Sequence, residues 1–121
     1  TAQEGVSFVS AAHAKRDLKA RVERWADELD VRVASLAVRP MRRKWASCST
    51  AGALSFSTDL LTLESELVDY VIVHELLHLR APNHGRLWKS LMRAHLDEYE
   101  HLHARLRAAA TEQSLSGGAL S

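Results

Sequence analysis

A chain of 121 residues, 46% hydrophobic and 26% charged, can close one hydrophobic core but not two comfortable ones. With 16 basic and 15 acidic residues the net charge is +1, so overall charge gives no argument for a nucleic-acid or membrane partner. One cysteine, Cys48, excludes an intramolecular disulfide, and no apolar run is long enough to span a bilayer.

The chain opens on Thr1 with no basic-then-apolar leader, and together with the cysteine usage this makes the cytoplasm the expected compartment. Residues Phe8 to Leu29 read as a helix, with Leu18, Val22, Trp25 and Leu29 recurring at spacings of three and four. Val31 to Val38, rich in β-branched residues and closed by Pro40, suits a strand. A basic turn, Met41-Arg42-Arg43-Lys44, leads to a short second strand from Trp45 to Ser49. Thr50-Ala51-Gly52 then supplies a hairpin turn into a third strand, Ala53 to Thr58, with Leu54 and Phe56 on one face.

Thr62 is the expected N-cap of the next helix, with Glu64 and Glu66 near its positive end. That helix carries Leu67, Val68, Val71, Ile72, Val73, Leu76, Leu77 and Leu79 around almost its whole circumference, the pattern of a helix buried on several sides. Pro82 is expected to end it. A tight turn at Asn83-His84-Gly85 precedes a helix from Arg86 to His95 and a charged helix from Asp97 to Ala110. Residues 1–110 therefore read as one domain, and the polar tail Thr111 to Ser121 is expected to be disordered.

Chemistry concentrates in the buried helix, which contains His74-Glu75-Leu76-Leu77-His78. Residues four apart lie one turn apart on the same face, so both imidazoles can reach one ion. Glu75 stands about 100° round the helix from His74, within reach of a water on that ion. Two histidines and a glutamate are costly to bury without a partner, and a metal is the simplest one. Zinc favours nitrogen donors and, in catalytic sites, takes three protein ligands with one position open; His84, just past the break, is the third candidate. Three histidines also accept cobalt or nickel.

These residues carry a family resemblance. Lys44-Trp45-Ala46-Ser47-Cys48-Ser49, then Val68 to Leu79, then Pro82-Asn83-His84-Gly85 and Leu87-Trp88 resemble the YgjP-like metallopeptidases, zincins related to the SprT-like and WLM groups. The resemblance runs from the second strand to the helix after His84. Ala46 and Leu87 depart from the Gly and Phe expected there, and the chain is short at its N-terminus for the family. It implies an α+β, zincin-like fold: an N-terminal helix, a small antiparallel sheet, a buried metal-binding helix and C-terminal helices. It also implies that His74, His78 and His84 hold Zn2+, that Glu75 is catalytic, and that the substrate is a peptide or protein.

Other readings stand beside this one. In peptide deformylases, which use the same helix, an upstream cysteine is the third ligand, and Cys48 lies upstream here. Another zincin group uses a glutamate, for which Glu98 or Glu100 qualifies. His95, Tyr99 and His101 are candidate oxyanion donors, though His101 and His103 suit an exposed helix face better. The Ala53 to Thr58 strand is the candidate platform for an extended substrate. Arg39, Arg42, Arg43 and Lys44 form the densest basic cluster, a weak argument for DNA in a binding module that zinc would merely brace.

Overall fold

The computed structural model describes residues 7–81 and 83–112. Helix α1 (Ser7–Leu29) is followed by β1 (Ser35–Arg39), β2 (Ala46–Cys48), β3 (Ala53–Ser57) and a 3-10 turn (Thr58–Thr62). Helices α2 (Ser65–Leu77), α3 (Arg86–His95) and α4 (Tyr99–Glu112) complete the described chain. The α+β class and the order of elements are as the sequence implies. The last helix takes in Thr111 and Glu112; the remainder of the expected tail, like Pro82, lies outside the described residues.

The sheet differs from expectation in one respect: it is mixed. Its order is β1-β3-β2, with β2 antiparallel to β3 and β1 parallel to it, Ser35 opposite Ala53 and Val38 opposite Phe56. The β2–β3 hairpin turns at Gly52, whose φ of +91° suits a residue without Cβ. A side chain there would also crowd the Ala34 nitrogen, and the Gly52 carbonyl accepts the Ala34 N–H at 2.9 Å. The turn that closes the hairpin thus also starts the parallel pair. Because β3 is the central strand, both its edges are occupied, and the platform expected on Ala53 to Thr58 is excluded.

Leu54 and Phe56 point into the core as their alternation requires. Above them lies α2, buried from Tyr70 to Leu77 without interruption. Leu18, Val22 and Leu29 of α1 cover one side; Leu102, Leu106 and Ala110 of α4, spaced by four, cover another. Trp25 is only partly buried, and its indole N–H donates to Asp69 Oδ1 at 2.9 Å. Arg21 Nε donates to the same oxygen at 2.8 Å, so Asp69 fastens α1 to the first turns of α2.

Thr62 is not the cap of α2. Its hydroxyl donates to the Asp59 carbonyl at 2.7 Å and closes the 3-10 turn, while Glu64 takes the cap position without a side-chain cap bond. Glu64 and Glu66 instead receive Arg105 of α4, at 2.6 and 2.8 Å. Exposed pairs of this kind contribute little stability, but they orient α4 along α2.

Candidate metal centre

His74 and His78 occupy the last turn of α2 and the residue just beyond it. His84 is returned toward them by a turn in which Asn83 Oδ1 accepts the Gly85 N–H at 3.0 Å. A Cβ on residue 85 would lie 2.7 Å from that same oxygen, so a side chain there would displace the Asn83 amide from this bond. The outcome is a cluster: the ligand atoms of His74, His78 and His84 all lie within 4.8 Å of one another, and no other such group occurs among the described residues.

His78 Nε2 and His84 Nε2 are 3.1 Å apart. Two nitrogens bound about 2.0–2.1 Å from one tetrahedral ion would stand about 3.3 Å apart, so the donor set fits a zinc-sized cation. The three rings are graded in burial, from buried His74 to exposed His84. A metal here would be held against the core on one side and reached from solvent on the other. Trp88 of α3 forms the wall, its ring centre 5.0 Å from that of His74 and 4.6 Å from that of His84.

Glu75 is fully buried behind the histidines, and its charge is felt by Cys48 on β2. Cys48 stands outside the ligand cluster, which removes the deformylase-like assignment of this residue as third ligand. Its thiol donates to the Ser49 carbonyl at 3.4 Å. Burial first, and the Glu75 carboxylate second, push the thiol up from 9.0 to about 11. At pH 8 its thiolate is then roughly a hundredfold scarcer than in an ordinary cysteine. Iodoacetamide should therefore alkylate the native metal-free protein about two orders of magnitude more slowly than the urea-unfolded chain; equal rates would contradict this placement. The sign for stability follows: the unfolded chain releases this proton near pH 9 and the fold only near 11, so the fold loses stability as pH rises through that window.

The remaining candidates fall away from the centre. Glu98 and Glu100 are exposed and outside the cluster. His95 Nδ1 lies 3.4 Å from Glu28 Oε2 on α1. Tyr99 packs edge-on against Trp88, one ring removed from the histidines. His101 is exposed, as are Arg39, Arg42, Arg43 and Lys44. No helix among the described residues is long and apolar enough to cross a membrane.

Sequence reasoning missed two neighbours of His74. Tyr70, one turn earlier on α2, brings its hydroxyl to 3.3 Å from His74 Nδ1. His103, expected to face only solvent, reaches back from α4 to the same hydroxyl, its Nδ1 at 2.7 Å. Burial chiefly drives the Tyr70 phenol upward, so it keeps its proton. Burial and the neighbouring Arg107 lower His103 from its ordinary value and keep it neutral at pH 7.

A histidine cluster at the end of a buried helix, over a small sheet, is a site that could hold a metal ion, and the comparisons give the class of protein it belongs to. Residues 3–109 match the family model described as YgjP-like, metallopeptidase domain. The chain belongs to that family and is a metallopeptidase. Among solved structures it is similar to the metallopeptidase zymogen jannalysin of Methanocaldococcus jannaschii, with a TM-score of 0.67 and 24% identity over 74% of this chain and 92% of that one. It is also similar to the zymogen abylysin of Pyrococcus abyssi, with a TM-score of 0.66 and 22% identity over 82% and 97% of the two chains. At these identities the likeness is one of fold. The search of curated proteins gave no match.

Proposed function

We propose that the protein is a zinc-dependent peptidase acting on peptides or proteins, with His74, His78 and His84 as metal ligands and Glu75 as general base. Its motif is then His-Glu-x-x-His followed, after five residues, by the third histidine. The observation that carries this reading is the convergence of three imidazole donors within 4.8 Å, beside a buried glutamate on the same helix. Zinc, when bound, supplies a carbonyl-polarising charge and lowers the pKa of water from about 16 to near 7. Glu75 takes a proton from the attacking water and passes it to the departing amine. Three donors rather than four leave a position open, which favours catalysis over a purely bracing metal.

An extended substrate would align on β2, not β3. Trp45 O accepts from Ser57 N and Ser49 N donates to Ala53 O, so alternate residues of this strand bond to β3. Ala46 and Cys48 therefore turn their backbone groups toward the outer edge, on the strand that packs against α2. We place the enzyme in the cytoplasm on the strength of its single cysteine.

The test is metal content after zinc loading, for the wild type beside His84→Ala and Cys48→Ala. Near-stoichiometric zinc in the wild type and in Cys48→Ala, with a large loss in His84→Ala, is the expected result. A loss confined to Cys48→Ala would restore the deformylase-like ligand set, and no zinc in the wild type would end the proposal.

A further inference from the structure

We infer that Tyr70 and His103 form an outer relay that fixes the ring and the tautomer of His74, making both positioning residues for the metal. The inference rests on the reading of His74 as a ligand. With Nδ1 facing Tyr70, the ring atom that the metal reading assigns to the ion is Nε2. A neutral imidazole that offers its Nε2 lone pair to a metal carries its proton on Nδ1 and must donate it somewhere.

The hydroxyl of Tyr70 is where that proton points, and the bookkeeping of donors closes in one direction. Tyr70 has one O–H. Its shorter contact, 2.7 Å to His103 Nδ1, suits an O–H donated to a neutral His103 that carries its own proton on Nε2. Its longer contact, 3.3 Å, then falls to the N–H of His74 donated to the phenol oxygen, the tautomer that a metal on Nε2 requires. The chain then reads His74 Nδ1–H to Tyr70 Oη, and Tyr70 O–H to His103 Nδ1, with the second proton of His103 on Nε2. Reversing the first bond would put the His74 proton on Nε2, where the metal belongs.

Two features show why this is more than a buried hydroxyl finding a partner. Tyr70 is 1% exposed, in a helix whose other core positions are almost all aliphatic, so a phenol there introduces a polar atom that a phenylalanine would not. Its acceptor comes from 33 residues away, on a helix that Arg105 clamps to the start of α2. The relay therefore ties the angle of a ligand ring to the seating of α4. Partners of this kind fix ring orientation and raise ligand basicity, and their loss typically costs about 10- to 100-fold in metal affinity.

The experiment is zinc affinity, measured by competition with a chromophoric chelator, for Tyr70→Phe, His103→Ala, His103→Asn and His74→Ala. Tyr70→Phe is expected to weaken zinc by about tenfold or more, and His103→Ala by a smaller factor. His103→Asn should recover most of the second loss, because the amide oxygen can accept the Tyr70 proton in place of Nδ1. In the zinc-loaded wild type, the His74 Nδ1–H should give a slowly exchanging proton resonance that Tyr70→Phe removes. Zinc binding within twofold of wild type in Tyr70→Phe and His103→Ala, with His74→Ala losing the metal, overturns the relay and leaves the metal centre standing. Wild-type affinity in His74→Ala overturns the metal centre itself. Should Tyr70→Phe fail to fold, the two His103 variants, on an exposed helix face, decide: equal losses in both count against the relay.

Discussion

Replacing Glu75 by glutamine is expected to lower peptide hydrolysis by about a hundred- to ten-thousand-fold while zinc remains bound at the wild-type stoichiometry. The substitution keeps the size and planarity of the side chain and removes its capacity to take a proton. Glu75 is fully buried among apolar neighbours of α2, so the near-isosteric change leaves packing intact and isolates the chemical role. His74, His78 and His84 are untouched, and their donor atoms remain clustered. Loss of zinc together with activity would show that Glu75 supports the structure of the site. Unchanged hydrolysis in a protein that holds its zinc would remove Glu75 from the reaction. Kinetics on a fluorogenic peptide pool, paired with metal analysis of the same samples, separates these results.

A large stability effect is expected at Ile72, in the middle of α2. Its side chain is fully buried, as are Val71 and Val73 on either side. Ile72→Ala removes buried methyl and methylene groups and leaves a cavity that α1, α4 and the sheet can only partly fill, at a cost of about 2–5 kcal/mol. Against the roughly 5–15 kcal/mol that holds a small domain together, this is a large fraction. Leu87→Ala is the control: Leu87 is 57% exposed, and its truncation should change stability by less than about 0.5 kcal/mol. Urea midpoints for the two variants should be far apart. A small effect at Ile72 would mean that α2 does not lie inside the fold.

Much of the candidate site, the clustering of the three histidines, was legible because its determinants are local. The spacing of His74 and His78 puts two donors on one face whatever surrounds the helix, and the all-round apolar pattern of α2 announces its burial. Helix α3 was predicted with the bounds it has, Arg86–His95, and the hairpin turn falls at the expected glycine. What escaped depends on residues far apart in sequence. No spacing rule says that β3 inserts between β1 and β2 and lies parallel to β1, so the antiparallel sheet that the resemblance implies went uncorrected. The same blindness hid the Asp69 junction with Arg21 and Trp25, and the contact of His103 with Tyr70. Thr62 shows a different failure. A hydroxyl ahead of an apolar helix suits a cap, but the intervening 3-10 turn claimed it.

The three histidines come from one short stretch of chain, from the last turn of α2 to the turn before α3. A chelating segment that compact survives unfolding. On the proposed ligand set, the denatured chain keeps the same three imidazoles close in sequence and would bind zinc with them, more weakly but not negligibly. Ligand-induced stabilisation depends on the difference between the affinities of the folded and unfolded states, so on that ligand set zinc would protect this fold by less than its native affinity suggests. Zinc present during refolding would then seize the segment before α1 and α4 had closed over it.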